Sequence, residues 1–447
     1  MPVRKAALTL LLLAVSGLCH AQDLAAKIDE YVGAYVKQDR FMGSVLVAKG
    51  GQVLISKGYG QADIELDVPN TSETKFRLGS LTKQFTAAAI LQLQDSGKLS
   101  VDDKVSQYLS DSPEAWKDIT IQELLTHTAG IPNFTSFPDY KAKQTLPTTP
   151  LELIKRFESK PLDFTPGTKF NYSNSGYIVL GYIIEKVSGK SYEAYLKQNI
   201  FSPLDLQSTG YDHATTILKH RASGYVLHGA TLANADYIDM SVPFSAGALY
   251  STVDDLYRWD RALYTEKVLP KSALEKMFTP FKDHYGYGWN IATLFDRKVT
   301  AHGGAINGFA SFIARFPDDN TCIVVLANLQ GAPSERIGRD LAAIVFGQPY
   351  DIPKERTAIK LPSKVMAGYT GTYQSGAFAF TVTMEDGHLY LQPKGEGKAE
   401  LFAESETKFF LKITDAEVTF VSGPDGKIKE MVLHQNGRDL PLRRLAN

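Results

Sequence analysis

Serine–lysine pairs three residues apart occur at three places, Ser72/Lys75, Ser80/Lys83 and Ser405/Lys408. Residues three apart in a helix share a face, so a neutral lysine amine there can take the proton of a serine hydroxyl and make it a nucleophile. Only Ser80 opens a long apolar helical pattern, from Leu81 to Leu93, in which burial lowers the pKa of a lysine. Ser80 and Lys83 are therefore the candidate nucleophile and base, whereas the other two pairs lie in polar segments. The alternative is that Ser80 caps the helix and Lys83 is an unrelated exposed side chain.

A second candidate element is Tyr172-Ser173-Asn174, which directly precedes another apolar helical pattern. A tyrosine near a lysine can transfer protons, and an asparagine amide can hold a substrate carbonyl or amide. The alternative is a loop in which Ser173 or Asn174 caps the following helix.

A third candidate element is His302-Gly303-Gly304-Ala305, just before a strand pattern at Phe309. Paired glycines let the backbone approach another group closely, and the N–H that follows them can point at an oxyanion. The alternative is a tight turn with an incidental histidine.

Several other chemistries are disfavoured by the sequence. It contains neither a Gly-x-Ser-x-Gly elbow nor a His-Glu-x-x-His motif, and it lacks a phosphate-binding loop ending in Gly-Lys-Ser/Thr. The nine histidines show no metal-ligand spacing, so we expect no metal site and no cofactor. Because 48 basic side chains balance 49 acidic ones without a basic stretch, a nucleic-acid partner is also not expected.

In this order and spacing, the three elements resemble the class C beta-lactamase-related serine hydrolases, within the superfamily of beta-lactamases and penicillin-binding proteins. The resemblance extends over about residues 25–347 and includes the segments Phe76–Lys83, Leu124–Pro132, Pro166–Tyr177 and Gly247–Thr252. It implies that Ser80 is the acylated nucleophile and Lys83 its base. Tyr172 would then carry a proton to the leaving group, and Asn174 would orient Lys83 and the substrate.

The resemblance also implies an oxyanion hole formed by the backbone N–H groups of Ser80 and Ala305, with His302, Gly303 and Gly304 beside the substrate. The family usually carries Lys-Thr/Ser-Gly at the third element, and that triplet occurs nowhere in this chain. A histidine, with an ordinary pKa of about 6.5, is mostly neutral at pH 7 and holds a carboxylate less well than a lysine does. Members with histidine here are typically esterases or D-amino-acid amidases and peptidases, so we expect poor hydrolysis of beta-lactams. His127 lies in a family-like segment, where we expect it to pack near the site without a catalytic role.

The elements around these residues predict two domains. Strand patterns at both ends of a helical middle indicate a single sheet, so residues 22–350 are predicted to form an α+β domain. In this domain an antiparallel sheet is flanked by helices and carries a helical insertion. A linker, 351–362, contains Pro353 and Pro362, and residues 363–447 are predicted to form a small antiparallel β-barrel. The barrel resembles the lipocalin-like domains of some relatives. Its predicted hairpin turns are Asp386-Gly387, Asp425-Gly426 and Asn436-Gly437, and its aromatic residues are expected in the core: Phe378, Phe380, Tyr390, Phe402, Phe409, Phe410 and Phe420.

Residues 1–21 are predicted to be a secretory signal. Arg4 and Lys5 precede an apolar run that ends at Leu18, too short for the roughly 20 residues of a membrane-spanning helix. The alternative is a lipoprotein anchored through Cys19, which the bulky Leu18 disfavours. The remaining cysteine, Cys322, lies in an apolar run, where we expect a buried strand residue and no disulfide. We therefore expect an exported protein, periplasmic or secreted, without a transmembrane segment in its mature part.

Taken together, the sequence predicts an exported serine hydrolase that forms an acyl-Ser80 intermediate from an ester or amide. Its partner would be a small-molecule or peptide substrate, such as a D-amino-acid peptide derived from the cell wall. One alternative is a low-molecular-weight penicillin-binding protein that acts as a D-Ala-D-Ala carboxypeptidase or weak beta-lactamase. Another is a non-catalytic receptor whose serine is acylated but never released. The sequence leaves the oligomeric state open.

Overall fold

The computed structural model describes residues 22–445, except positions 110, 229–230, 354–355, 377, 394–396, 413–415 and 436–437. The predicted signal at residues 1–21 and the predicted turn at Asn436-Gly437 lie outside the described residues. Among the described helices, none is both long enough and apolar enough to cross a membrane.

The first part of the chain alternates short helices with strands. The helices are α1 (residues 22–36), α2 (Thr82–Asp95), α3 (Ile121–Leu125), α4 (Tyr140–Lys143), α5 (Pro150–Lys155), α6 (Asn174–Ser188), α7 (Tyr192–Leu196), α8 (Phe244–Gly247), α9 (Val253–Ala262), α10 (Lys271–Met277) and α11 (Ser334–Phe346). The strands are β1 (Gly43–Lys49), β2 (Gln52–Tyr59), β3 (Gln61–Asp63), β4 (Val68–Pro69), β5 (Phe76–Arg77), β6 (Gly210–Tyr211), β7 (Tyr225–His228), β8 (Thr231–Asn234), β9 (Leu249–Ser251), β10 (Asn290–Leu294), β11 (Arg297–Ile306), β12 (Phe309–Phe316) and β13 (Thr321–Ala327).

One antiparallel sheet holds the two ends of this region together. Its strand order is β10-β11-β12-β13-β1-β2, so the N-terminal hairpin pairs with a strand from far along the chain. In that pairing Val45 lies opposite Val325 and Leu46 opposite Val324. The predicted single sheet, divided in sequence and joined in space, is confirmed.

Hydrophobic cores lie on both faces of the sheet because successive strand residues point to opposite sides. Leu46 and Val324 face the helical region that contains α2 and α6. Their neighbours Val45 and Val325 face α1 and α11. Every residue of β13 is buried, as its continuous apolar sequence indicates, and Cys322 is a buried free cysteine there. The expectation for Cys322 is confirmed.

The helix that follows Ser80 is apolar almost all round and is correspondingly buried on nearly every side. A 3₁₀ turn, Gly79–Leu81, leads into α2. The second predicted helix, α6, ends at Ser188 and is followed by Gly189, whose φ of 70° is the left-handed conformation common after helix ends. Because α6 begins at Asn174, the Tyr-x-Asn element lies at the start of this helix.

The C-terminal residues form the predicted barrel. A short helix, α12 (Ser363–Ala367), precedes eight strands: β14 (Gly371–Ser375), β15 (Phe378–Glu385), β16 (His388–Pro393), β17 (Ala399–Ala403), β18 (Lys408–Leu411), β19 (Ala416–Ser422), β20 (Ile428–Gln435) and β21 (Arg438–Arg444). Each pairs with the next, and pairing of β14 with β21 closes the barrel. In the linker, the Ile359 N–H donates to the Ala403 carbonyl at 2.8 Å. The domain boundaries proposed at 350/351 and 362/363 stay predictions.

The barrel corrects two details of the sequence analysis. At Asp386-Gly387 both residues have positive φ, as predicted for a tight hairpin turn. At Asp425-Gly426 only the glycine does, because a longer loop joins β19 to β20. Of the aromatic residues expected in the core, Phe409, Phe410 and Phe420 are buried and Phe380, Tyr390 and Phe402 are half-buried. Phe378, at the first position of β15, is 61% exposed, so its assignment to the core was wrong.

Candidate active site

The candidate residues meet where the start of α2 packs against β11. β10 pairs only with residues 297–301 of β11, so the rest of that strand continues past the end of its neighbour. The His302–Ala305 element lies in this extension and pairs with β12 on its other side. The element is therefore part of a strand and not the tight turn that was the alternative.

Two glycines bring the backbones of the first and third elements together. A methyl group on Gly304 would lie 2.2 Å from the Leu78 carbonyl oxygen and 3.1 Å from the Ser80 nitrogen. A methyl group on Gly79, where φ is +53°, would lie 2.9 Å from the Ala305 nitrogen. The peptide N–H groups of Ser80 and Ala305 thus belong to backbone segments in near contact, as an oxyanion hole requires. Gly303 has no such constraint, since its added methyl would meet only a carbonyl oxygen at 3.8 Å.

Lys83 is completely buried one turn beyond Ser80. Its Nζ lies 3.0 Å from Ser80 Oγ, 2.9 Å from Asn174 Oδ1 and 2.8 Å from the carbonyl oxygen of Ala246. Ser80 lies inside the 3₁₀ turn and Leu81 occupies the position before α2, so the capping alternative does not describe this pair. Among the described residues, no hydrogen bond or ion pair joins Lys83 to a carboxylate.

The Lys83 environment favours a neutral amine. Burial lowers the pKa of Lys83 well below its ordinary value of 10.5. A neutral amine has two N–H donors and one lone pair. Asn174 Oδ1 and the Ala246 carbonyl can only accept, so they take the two donors and leave the lone pair for the Ser80 hydroxyl. The site can thus remove the serine proton without a second base.

Asn174 is held in the orientation that this arrangement needs. Its Nδ2 donates to Thr135 Oγ1 at 3.2 Å and to Asn133 Oδ1 at 3.4 Å, which turns Oδ1 toward Lys83. Ser173 occupies the position before α6 but makes no side-chain capping bond. The capping alternative for the second element therefore does not apply, and its asparagine contacts the lysine directly.

Tyr172 completes the group around Ser80. Its hydroxyl is buried and has no hydrogen-bond partner among the described residues. Burial raises the pKa of Tyr172 above its ordinary value of 10.0, while the nearby Ser80 hydroxyl, outside good hydrogen-bond geometry, opposes that rise. The phenol is therefore protonated at neutral pH and has a proton to give. The Lys83 Nζ lies 4.9 Å from the centre of its ring.

His302 has partners within the protein for both ring nitrogens. Its Nδ1 lies 2.5 Å from the Gly303 carbonyl oxygen, to which it donates, so Nε2 accepts from the Tyr285 hydroxyl at 2.9 Å. Burial lowers the pKa of His302 to about 4, so the ring is neutral at pH 7. Substrate binding by His302 stays a prediction, and in this structure its nitrogens bind protein atoms.

Sequence reasoning missed several groups that hold the site. They are the Ala246 carbonyl, the side chains of Asn133 and Thr135, and the Tyr285 hydroxyl. A backbone carbonyl leaves no signal in a sequence. Asn133 alone had one, because it directly follows the family-like segment that ends at Pro132.

The other two serine–lysine pairs lie apart from the site, and of their four residues Lys408 is exposed and the rest are half-buried. Lys75 Nζ donates to the Lys219 carbonyl, and Ser405 Oγ accepts from the backbone N–H of the exposed Lys408. Within residues 22–445, apart from the positions left undescribed, no group of three or more His, Cys, Asp or Glu side chains is placed to hold a metal ion.

Comparison with known proteins agrees with this geometry. Residues 24–346 match the family described as Beta-lactamase, and residues 355–444 match a domain of unknown function (DUF3471). The chain belongs to the beta-lactamase family. Penicillin-binding protein 4* of Bacillus subtilis (strain 168) is 32% identical over 432 residues, 90% of this chain and 95% of that protein.

Solved structures of penicillin-binding protein homologues and amidohydrolases are similar to this structure. The octameric penicillin-binding protein homologue from Pyrococcus abyssi has a TM-score of 0.65 and 27% identity, covering 94% of this chain and 99% of that one. A D-stereospecific amidohydrolase from Streptomyces sp. has a TM-score of 0.60 and 26% identity, covering 70% of this chain and 99% of that one. The predicted fold class is confirmed.

Proposed function

We propose that this protein is an exported serine hydrolase that acts on esters or amides through an acyl-Ser80 intermediate. The observation that carries the proposal is the contact between Lys83 Nζ and Ser80 Oγ at 3.0 Å, deep enough for the amine to be neutral. A buried lysine without a carboxylate partner is neutral at rest and can therefore accept a proton. The resulting ammonium is stabilised by the negative oxyanion that forms beside it when the serine attacks.

In the acylation step, Ser80 Oγ bonds to the carbonyl carbon of the substrate and its proton passes to Lys83 Nζ. The carbonyl oxygen becomes an oxyanion that faces the N–H groups of Ser80 and Ala305. Tyr172 then donates its proton to the leaving oxygen or nitrogen as that bond breaks, and the Lys83 ammonium returns a proton to Tyr172. The products of this step are the acyl-Ser80 ester and the protonated leaving group.

Deacylation reverses the direction of these transfers. Water attacks the acyl carbon while its proton passes to the Tyr172 oxygen and the phenol proton passes to the lone pair of Lys83 Nζ. The Lys83 ammonium then gives a proton to Ser80 Oγ as the acid leaves, which restores all three side chains. Among the described residues, no carboxylate contributes to the pKa shift of Lys83 or of Tyr172. We therefore assign the proton transfers of both steps to these two side chains.

The substrate class follows from the third element. A neutral His302 bonded to Tyr285 offers no positive charge to a substrate carboxylate. This favours esters and amides without a free carboxylate beside the scissile bond, such as D-amino-acid amides. Similarity to the D-stereospecific amidohydrolase supports the same choice. The second candidate, a penicillin-binding protein that acts as a D-Ala-D-Ala carboxypeptidase, is supported by similarity to the Bacillus subtilis relative.

The test combines mass spectrometry with turnover. Wild-type protein, Ser80→Ala and Ser405→Ala are incubated with benzylpenicillin, p-nitrophenyl acetate and D-phenylalanine amide, and intact mass and product are followed over hours. Ser405→Ala is the matched control, because Ser405 heads an equally spaced serine–lysine pair outside the site. We expect ester turnover to fall by about 10³-fold or more in Ser80→Ala only.

The other outcomes separate the candidates. A stable penicillin adduct without ester or amide turnover favours the penicillin-binding protein or the non-catalytic receptor. Equal activity of Ser80→Ala and wild type would mean that another residue is the nucleophile and would refute the proposal.

Export through residues 1–21 needs a separate experiment. The periplasmic and cytoplasmic fractions are compared for the full chain and for a variant that begins at residue 22. Equal distribution of the two proteins would contradict export.

A further inference from the structure

His127 binds the backbone on both sides of Tyr172. Its carbonyl oxygen accepts the Asn171 N–H at 2.9 Å, and its ring Nδ1 accepts the Ser173 N–H at 3.1 Å. The imidazole lies against the Tyr172 ring, with 4.2 Å between ring centres. Three contacts from one residue therefore fix the residue before Tyr172, the residue after it and the phenol itself.

The backbone conformation of His127 makes these contacts compatible. Its φ of 57° lies in the left-handed region, which a non-glycine residue adopts at a cost unless its surroundings enforce it. In this conformation the carbonyl and the side chain both reach the strand-like segment 171–173. The strained backbone of His127 therefore allows the contacts that position Tyr172.

The imidazole also carries a buried group that packing alone does not explain. Because Nδ1 accepts a hydrogen bond, the proton of the neutral ring is on Nε2, and Nε2 has no partner among the described residues. Burial lowers the pKa of His127 well below 6.5, which keeps Nδ1 free to accept. A purely apolar ring would fill the same space without leaving this donor unsatisfied.

Asn174 does not depend on His127 in the same way. Its backbone N–H donates to Asn133 Oδ1 at 3.1 Å, and its side chain is held by Asn133 and Thr135. Loss of the His127 contacts should therefore loosen Tyr172 more than the Asn174–Lys83 contact.

We propose that His127 is a positioning residue for Tyr172, holding the phenol hydroxyl at the leaving-group side of Ser80. The inference rests on the proposed function, in which Tyr172 protonates the leaving group. It assigns a role in the reaction to a residue for which the sequence analysis expected packing alone.

The consequence is a dependence on the leaving group. p-Nitrophenolate leaves without help from an acid, whereas an alkoxide or an amine needs a proton in the transition state. Disturbing the position of Tyr172 should therefore slow alkyl esters and amides much more than p-nitrophenyl esters of the same acid. A loss of general packing would lower both rates by the same factor.

Three variants separate these effects. His127→Asn keeps an acceptor near the place of Nδ1 and tolerates the positive φ, but removes the ring contact with Tyr172. His127→Gly keeps the conformation and the carbonyl that accepts the Asn171 N–H, and it removes the two contacts made by the ring. His220→Gly is the matched control, because His220 is also a histidine with positive φ, 62°, but is exposed.

The experiment measures kcat and KM for an ethyl ester and a p-nitrophenyl ester of one acid, and the melting temperature of each variant. For His127→Gly we expect kcat on the ethyl ester to fall about 30-fold and kcat on the p-nitrophenyl ester less than about threefold, with KM nearly unchanged. His127→Asn should lie between this variant and wild type, and His220→Gly should match wild type.

Tyr172→Phe provides the second measurement. If His127 acts through Tyr172, His127→Gly should change kcat less than about twofold when it is added to Tyr172→Phe. Equal losses on both esters, or the full loss in the Tyr172→Phe background, would overturn the positioning role while leaving Ser80 chemistry intact. If wild-type protein turns over neither ester, the proposed function itself fails, and the role of His127 falls with it.

Discussion

Two buried basic side chains of this protein, Arg315 and Lys83, have opposite surroundings. Arg315 Nε lies 2.8 Å from Asp260 Oδ1, and its guanidinium faces the rings of Tyr264 and Phe278 at 4.7 and 4.9 Å. Lys83, equally buried, has hydroxyl, amide and carbonyl oxygens but no carboxylate among the described residues.

The difference shows that a buried basic side chain can either stabilise the fold as part of an ion pair or act as a neutral base in a reaction. Arginine stays charged in proteins, so Arg315 needs a counter-ion, and the resulting pair ties β12 to α9. Lysine can give up its proton, so Lys83 without a counter-ion becomes a neutral base. The first three predictions each change one side of this comparison, and the fourth concerns the histidine beside Lys83.

The largest effect is expected when Lys83 is made permanently charged. Lys83→Arg has no lone pair for the serine proton at any accessible pH, so kcat for ester hydrolysis should fall by about 10³-fold or more. Steady-state kinetics measure the loss. Lys57→Arg, at an exposed lysine paired with Asp29, is the control and should keep wild-type kcat. A Lys83→Arg enzyme within tenfold of wild type would refute the role of a neutral amine.

Removal of the Arg315 counter-ion should destabilise the fold. Asp260→Leu leaves a buried charge unpaired and should lower the free energy of unfolding by about 3–5 kcal/mol, measured by urea denaturation. The double variant Asp260→Leu/Arg315→Met removes both charges and should recover most of that loss. If the double variant is as unstable as the single one, the cost comes from lost packing and not from the unpaired charge.

The neutral state of Lys83 should appear in the pH dependence of stability. Below pH 10.5 the unfolded chain binds a proton at this lysine that the folded protein does not bind, so this group makes wild-type stability rise as pH rises toward 10.5. Lys83→Met lacks this dependence. Its stability relative to wild type should therefore be greatest near neutral pH and should decline toward pH 10.5. A constant difference across this range would mean that Lys83 is charged in the folded protein.

The smallest effect concerns His302. Its pKa of about 4 lies below the 6.5 of an unfolded histidine, so its contribution to stability should be lost as pH falls from 6.5 through about 4. Above pH 5.5, NMR should show an uncharged ring, and the ratio of rates on substrates with and without a free carboxylate should stay constant. Protonation of His302 between pH 6 and 7 would contradict this account of the third element.

The fold was predictable where a segment is mainly apolar and is buried on nearly all sides. Phe309–Phe316 is buried at every position and the helix after Ser80 at most of its positions. Both are mainly apolar, and both were located from sequence. The short helices and two-residue strands between residues 101 and 270 were not resolved individually, because they depend on contacts with distant segments more than on local pattern.

The site was predictable as a set of side-chain types and not as a set of contacts. The apolar helix that follows Ser80 distinguished the Ser80/Lys83 pair from two others with the same spacing, and the structure brings Tyr172 and Asn174 to them. The Ala246 carbonyl that completes the lysine environment has no sequence signature. The direction of His302 could not be foreseen either, because it depends on Tyr285, which comes from a separate loop.

The pairing of β1 with β13 has a consequence for how the chain is made. The first hairpin, residues 43–59, is synthesised long before Thr321–Ala327 leaves the ribosome, yet β1 is buried only when β13 lies beside it. The apolar edge of β1 therefore has no β13 partner while the whole helical region is being synthesised. Non-local pairing of this kind slows folding. Nascent chains arrested before residue 321 should present this edge to chaperones, and those arrested well beyond residue 327 should not.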